Sequence, residues 1–323
     1  MTDHPRVATT DGLVRRDFAW PGGARCALSV SWDVDFDSVL HLQHGDRAFD
    51  QYSALSFFRY DEVAVPNIVA ACAELDIRST FFVPGWCIEH YPDVCRAIAD
   101  GGHEVAHHGY LHEGPNSQLP EAELAWLRRG ADAIESLAGK RPVGWRAPHA
   151  APSAVSMGYL VREGFTYDSS LANDHDPFLL DVESGTLIEL PCEVTMSDWP
   201  HYAHVPDLGY LMPPKLPSDA VAVYASELDA ALEGGGFLTT IWHPHVSGRP
   251  ARLRAWVRWV RELKARGDVW ITTLEEIAAH LRGFVDSGGQ LRHVRFPFYS
   301  APVEEVKEFA TTYRKLDAPG WPK

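Results

Sequence analysis

The chain has 323 residues and a net charge of −15 (Lys+Arg 29, Asp+Glu 44), so most of its surface has the wrong sign for gripping phosphate backbones or anionic lipid heads. Its 46% hydrophobic, 11% aromatic and 23% charged residues exclude a disordered, collagen-like or coiled-coil chain and can bury a real core. Five scattered cysteines without a CxxC pair, an N-terminus without an apolar leader and the lack of any run of about 20 apolar residues predict a reduced, cytoplasmic protein that does not cross a membrane.

In chain order, apolar and helical patterning predicts a strand over 26–34, a helix over 66–76, a strand over 79–85, a helix over 91–100 and a strand over 103–107. A long helix over 119–138, a strand over 142–147, a helix over 152–163 and strands over 164–168 and 187–194 follow. The remainder reads as helix 217–233, strand 236–243, helix 250–266, strand 268–273 and helix 274–282. In the 250–266 helix Pro250 suits the first turn, and Leu253, Trp256, Val257, Val260 and Leu263 form one apolar stripe for packing. Strands alternating with helices imply βα units and a largely parallel sheet, closed or nearly closed into a β/α barrel, although a doubly wound open sheet gives a similar string. Both arrangements place ligands at the carboxyl ends of strands. The segment from Leu171 to Lys215 reads as strand plus long loops shaping a mouth. A single domain over 1–323 is expected, with a core over about 19–281 and a C-terminal extension over 282–323 that ends in an amphipathic helix. The aromatic segment FPFY at 296–299 needs covering, by its own barrel or by another subunit, and a homo-oligomer is therefore expected.

The chemistry-bearing residues gather at predicted strand ends. Ser31-Trp32-Asp33-Val34-Asp35 closes the first strand, and period-two geometry sends Asp33 and Asp35 to the same side, as metal binding or base catalysis requires; an isolated DxD also fits a capped turn. The stretch from Gly102 to Glu113 holds four histidines, and a helical turn would stack His108 and His112 on one face at a spacing suited to one metal ion. His103 and His107 read as structural. Trp145-Arg146-Ala147-Pro148 and Tyr167-Asp168-Ser169-Ser170-Leu171 end two further strands, and Ile241-Trp242-His243-Pro244-His245 ends another with a histidine suited to proton transfer. Five strand ends in sequence each carry a residue able to bind metal, move protons or orient a carboxylate, a convergence that coincidence explains poorly.

The set DxD, HxxxH, RAP, YDSSL and HPxxxGRP resembles the polysaccharide deacetylase family of metal-dependent carbohydrate esterases over roughly Ala19 to Leu281. HGYLHE and LPCEVTMSDWPHY look most like the branch with allantoinase-like, cyclic imide-hydrolysing and atypical peptidoglycan-deacetylating members. The chain departs from typical members in its spaced acids and in Gly109 after His108. The resemblance implies a distorted β/α barrel of about seven strands. It also implies Asp35, His108 and His112 as metal ligands, Asp33 as base, Arg146 orienting Asp33, His243 as general acid and Asp168 supporting one of these. Trp199 on the mouth loop, with Glu193, Tyr110 and Pro148 in the same motif segments, is expected to meet substrate. Two histidines and a carboxylate with open positions favour zinc, with manganese, cobalt or iron as alternatives. The expected reaction is hydrolysis of a non-peptide carbon–nitrogen bond in small cyclic amides, imides or ureides. N-deacetylation of acetylated sugars or peptidoglycan is the alternative within that class. A catalytically silent metabolite- or carbohydrate-binding protein is the alternative outside it, and an iron oxygenase, which shares the ligand set, is a more remote one.

Overall fold

The computed structural model describes residues 18–206 and 209–297. Its first strand, β1 (Cys26–Asp33), is buried along all eight residues, because both faces of its pleat are covered. Cys26, Leu28, Val30 and Trp32 belong to the main apolar cluster, while the alternate residues turn inward, where Ser31 and Asp33 meet Arg146.

The chain continues through α1 (Ser38–His44), α2 (Tyr52–Phe58) and α3 (Asp61–Leu75) to β2 (Thr80–Val83), then through α4 (Gly85–His90) and α5 (Pro92–Asp100) to β3 (Glu104–His107). Helix α6 (Pro120–Ala138) leads to β4 (Gly144–Trp145), α7 (Ser156–Arg162) to β5 (Tyr167–Asp168), and the hairpin β6 (Phe178–Val182) and β7 (Gly185–Glu189) follows. After α8 (Trp199–Tyr202) and the antiparallel pair β8 (His204–Val205) and β9 (Tyr210–Leu211) come α9 (Pro217–Gly234), β10 (Phe237–Trp242), α10 (Pro244–Ser247) and α11 (Pro250–Arg266). The described chain ends with β11 (Val269–Ile271), α12 (Leu274–Asp286) and β12 (His293–Arg295).

Ten strands form one sheet in the order β10-β1-β2-β3-β4-β5-β7-β6-β12, with β11 paired to the start of β1. Only the β6–β7 hairpin is antiparallel within it. The sheet curls into a distorted barrel that is larger than the seven strands expected, because the hairpin and β12 extend one end. On the free side of β10 the wall is completed by loop rather than strand: Ser197 bridges Ile241, and Asp198 N donates to Ile241 O at 3.0 Å. The outer core is aromatic. Trp32 packs on Trp242 and Trp256 with ring centroids 6.1 and 5.4 Å apart, fastening α11 to the sheet. Trp259 joins Trp256, Val260 and Leu263 on the buried face of α11, where Leu253 and Val257 of the predicted stripe are only partly buried.

Several local expectations are corrected. Helix α3 opens at Asp61, so Pro66 lies inside it instead of starting it. The strand predicted over 187–194 ends at Glu189, and the mouth segment contains β6, α8, β8 and β9. At the other end of the chain, β12 pairs with β6 and Phe296 packs in the cluster that holds Trp145, on its own barrel. The predicted C-terminal amphipathic helix and the last two residues of FPFY lie outside the described residues. No described helix is long and apolar enough to cross a membrane.

A buried acid organises the barrel floor. Tyr167 Oη donates to Glu104 Oε1 at 2.6 Å, and Thr80 Oγ1 and Glu275 N donate to Glu104 Oε2 at 2.7 and 3.0 Å. Gly144 is required here, since a Cβ at that position would fall 2.0 Å from Tyr167 Cζ. Burial pushes the Glu104 carboxyl from 4.5 up to about 7 despite these bonds. The native state therefore keeps a proton that the unfolded chain has released, so stability from this group is full below about pH 4.5 and falls as pH rises through 7. Glu104→Gln is expected to remove this dependence and to gain on the order of 3 kcal/mol relative to wild type between about pH 4.5 and pH 8. Urea unfolding at both pH values measures it, and an identical difference at the two would refute the assignment.

Candidate active site

Strand register brings the motif residues to one level. Trp32 pairs with Trp242, so Asp33 and His243, one residue further on, stand side by side; His107 pairs with Trp145, so His108 and Arg146 do the same. Asp35 follows on the turn beyond β1. His108 and His112 do not share a helical turn as the spacing suggested. The segment after β3 is a bend in which His112 adopts φ 58°, and the Glu113 carboxylate braces it by accepting from Tyr110 N at 2.9 Å and Leu111 N at 2.6 Å. Phe36, His112, His149 and Ala150, four of the five non-glycine residues with positive φ in the described chain, flank this site. Such conformations cost on the order of 1–3 kcal/mol each and persist only where the surroundings enforce them.

Asp35, His108 and His112 form a donor set for a cation. His112 Nε2 lies 3.5 Å and His108 Nε2 3.7 Å from Asp35 Oδ1, and all three side chains are buried. Atoms bound to one tetrahedral zinc at about 2.0–2.2 Å stand roughly 3.3–3.6 Å apart, close to this spacing. Asp35 Oδ1 is buried without a hydrogen-bond partner, which a cation would supply. His108 Nδ1 donates to Arg146 O at 2.9 Å, which fixes the tautomer and leaves the Nε2 lone pair facing Asp35. Burial holds His108 down to about 4 and His112 well below its usual range, so both imidazoles are neutral and fit for ligation. A second acidic and histidine cluster, Asp174, His175 and Asp176, lies at the surface.

Two charged pairs flank the donor set. Arg146 Nη1 donates to Asp33 Oδ1 and to Ser31 Oγ, both at 2.8 Å, while its Nε and Nη2 donate to Ser169 O and Oγ at 2.9 and 3.1 Å. Burial pushes Asp33 up, but Arg146, His108 and His243 outweigh it and hold the carboxyl below its usual range. On the other side, Asp198 Oδ1 lies 2.7 Å from His243 Nδ1, and Asp198 Oδ2 accepts from His243 N at 2.9 Å and Ser247 Oγ at 2.5 Å. Burial opposes the charged imidazole, but Asp198, then Asp35 and Asp33, raise it to about 9. His243 Nε2 is 3.8 Å from Asp35 Oδ2, so the free imidazole nitrogen faces the donor set. Asp198 was not singled out from the sequence. Its only signal was its place beside Trp199 in SDWPHY, and the loop closure that seats it against β10 leaves no periodicity.

The cavity above these groups has a volume of about 750 Å³ and exposes Asp33, Asp35, His108, His112, Arg146 and His243. Its outer wall includes Val39, Phe58, His149, Trp199 and Tyr210. Trp199 lines this cavity, whereas Tyr110, Glu193 and Pro148 are not among the lining residues. Tyr110 stacks on Trp126 and donates to Glu89, Pro148 is buried beside Gly109, and the exposed Glu193 borders a neighbouring cavity of about 500 Å³. Asp168 likewise touches neither Arg146 nor His243. Ser170 Oγ donates to it at 2.6 Å, and the Asp168 carboxyl is paired with that of Glu189; burial raises both, with Asp168 pushing Glu189 further.

A polysaccharide deacetylase family model matches residues 48–167. The chain is similar to a peptidoglycan deacetylase of Helicobacter pylori, with 29% identity over 283 residues that cover 78% of this chain and 95% of the relative. A crystal structure from Mycobacterium smegmatis that bears the name of a polysaccharide deacetylase superimposes with a TM-score of 0.82 at 35% identity, covering 88% of this chain and 99% of that one. An allantoinase structure superimposes with a TM-score of 0.74 at 23% identity over 87% of this chain and 98% of its own, a likeness of fold.

The donor geometry leads to a direct expectation. Protein stripped of metal and reloaded should hold one divalent ion per chain by elemental mass spectrometry, and Asp35→Ala should weaken that binding by at least about tenfold. Unchanged affinity in Asp35→Ala would remove Asp35 from the site.

Proposed function

The chain belongs to the polysaccharide deacetylase family, and on that premise we propose that it is a metal-dependent hydrolase that opens an amide-type carbon–nitrogen bond in small cyclic amides, imides or ureides. One arrangement carries the proposal: Asp33 anchored by Arg146, and His243 anchored by Asp198, flank the Asp35, His108 and His112 donors. A divalent ion there, zinc by the donor set, supplies Lewis acidity toward a carbonyl oxygen and toward water. Asp33, ionised and aimed by Arg146, takes the proton from the attacking water. His243, protonated and held by Asp198, delivers a proton to the leaving nitrogen, which would otherwise be too basic to depart. Asp198 keeps the Nε2 edge of that ring toward the substrate through its bond to Nδ1. Asp168 and Glu189 act at a distance, by fixing the loop that carries Ser169, the second anchor of Arg146.

The cavity supports a small, neutral substrate. Its volume of about 750 Å³ suits a metabolite-sized ligand, and apart from Arg146, which is engaged with Asp33, the described residues that line it include no lysine or arginine to receive an anion. Trp199 and Tyr210, 5.0 Å apart edge to face, offer flat apolar surface near the reacting groups. N-deacetylation of an acetylated sugar is the second reading, favoured by the name of the Helicobacter pylori relative and by the same aromatic wall, on which a sugar ring can stack.

Asp33→Asn is expected to keep bound metal and to lose about 10²–10⁴-fold in kcat, because the base is gone while the donors are untouched. Metal analysis alongside turnover checks it, and substantial residual activity would mean another group is the base. Product mass spectrometry on cyclic imides or ureides and, separately, on N-acetylated oligosaccharides decides the substrate. Gain of one water with ring opening, absent in Asp33→Asn, is the expected result. Loss of acetyl from the oligosaccharides would establish the second reading, and no change in either set would overturn both.

A further inference from the structure

One buried pair has no part in that scheme. Asp61, the first residue of α3, and His245, two residues past His243 in α10, are both fully buried, and His245 Nδ1 lies 3.1 and 3.2 Å from the two Asp61 carboxylate oxygens. The same carboxylate reaches the candidate metal site, because Asp61 Oδ2 accepts from Phe36 N at 2.9 Å. The carbonyl of that peptide unit, Asp35 O, accepts from Ser38 Oγ at 2.7 Å and from Cys87 Sγ at 3.1 Å. Both polar atoms of the Asp35–Phe36 peptide are thus tied down.

That restraint has a reason. Phe36 is held at φ 45°, a conformation a bulky L-residue avoids, and its ring is clamped flat against Tyr91 with centroids 4.0 Å apart. If the peptide turned back to an ordinary conformation, the Asp35 carboxylate would swing away from His108 and His112. His245 in turn is enclosed by Phe57, Phe58 and Trp199, with ring centroids 5.1, 4.9 and 5.8 Å away, and its Nε2 has no partner. An apolar side chain would fill that aromatic pocket without burying an unpaired nitrogen. What the imidazole adds is its bond to Asp61.

We propose that Asp61 and His245 are positioning residues for the metal-binding carboxylate: through the Phe36 amide they hold Asp35 in the conformation in which it shares an ion with His108 and His112. The inference rests on the reading of Asp35 as a ligand. It also links the two flanks of the site, because α10 is held from one side by Ser247 on Asp198 and from the other by His245 on Asp61.

The test is zinc affinity of the full chain, stripped of metal and titrated in competition with a chromogenic chelator, with thermal melting of the metal-free protein in parallel. His245→Leu is expected to weaken zinc binding about tenfold. His245→Asn, whose amide can donate from near the Nδ1 position, is expected to recover most of that loss. Wild-type affinity in His245→Leu, or equal weakening in both variants, would overturn the positioning role, the second because it would assign the effect to packing. If His245→Leu does not fold, Asp61→Asn carries the test, with severalfold weaker binding expected and unchanged binding overturning the proposal. Asp35→Asn serves as the control: if it binds zinc like wild type, the ligand reading itself has failed, whereas loss there with unchanged His245 and Asp61 variants removes only the positioning role.

Discussion

Arg146 is the point on which the site depends. Its guanidinium is almost wholly buried in the barrel, lies over the Phe82 ring at 4.1 Å and donates to Asp33, Ser31 and Ser169. Its backbone matters as much: Arg146 N donates to His107 O, and Arg146 O receives the Nδ1 proton of His108. One residue therefore sets the direction of a carboxylate on β1 and the tautomer of an imidazole after β3. Removing one partner of such a buried pair leaves an uncompensated charge and typically costs about 3–5 kcal/mol, so Arg146 and Asp33 stabilise each other in the interior. Ser31 Oγ and the carbonyl and hydroxyl oxygens of Ser169 accept three further hydrogen bonds from the guanidinium, which makes its interior position tolerable.

Opposite this rigid half stands one built by loop closure. Among the described residues β10 has no strand on its outer side at the level of Ile241, and the segment after β7 fills the place through Ser197 and Asp198. The same contact that completes the barrel wall seats Asp198 on the His243 amide and imidazole. Environment then drives the two reacting groups apart: the cation beside Asp33 holds its proton off, and the anion beside His243 holds its proton on. On the proposed chemistry a base and an acid are needed in one cavity at one pH, and this separation provides both.

Much of this was legible in the sequence because strand ends are where β/α barrels carry chemistry, and the strands at 26–34, 103–107, 142–147 and 236–243 are marked by apolar runs. Asp33, Asp35, His108, His112, Arg146 and His243 follow from those ends. What escaped has no periodic signature. Asp198 arrives by loop closure, Asp61 is the opening residue of a helix whose predicted start was drawn to Pro66, and the 108–112 bend copies the spacing of a helical turn while taking a positive φ at His112. Tyr110 and Pro148 were misplaced for a related reason. Proximity in a motif says nothing about which way a side chain leaves a loop, and both turn away from the cavity into packing.

The buried carboxylates of the site region differ in how their charge is compensated, and the difference bears on Asp35. Asp33 has Arg146, and Asp198 has the raised imidazole of His243. Asp168 and Glu189 have each other: two carboxyls buried together resist ionising at once, so a shared proton accounts for the Glu189 Oε2 atom that otherwise has no partner. Asp35 Oδ1 is also without a partner, yet its neighbours are His108 and His112, whose burial keeps them neutral. The Nε2 lone pair of His108, left free because Nδ1 donates to Arg146 O, faces that oxygen at 3.7 Å, and His112 Nε2 lies 3.5 Å from it. With the His112 proton on Nδ1, three electron-rich atoms converge in a buried space and repel one another unless a cation joins them, which is the physical ground for reading Asp35, His108 and His112 as a candidate metal site.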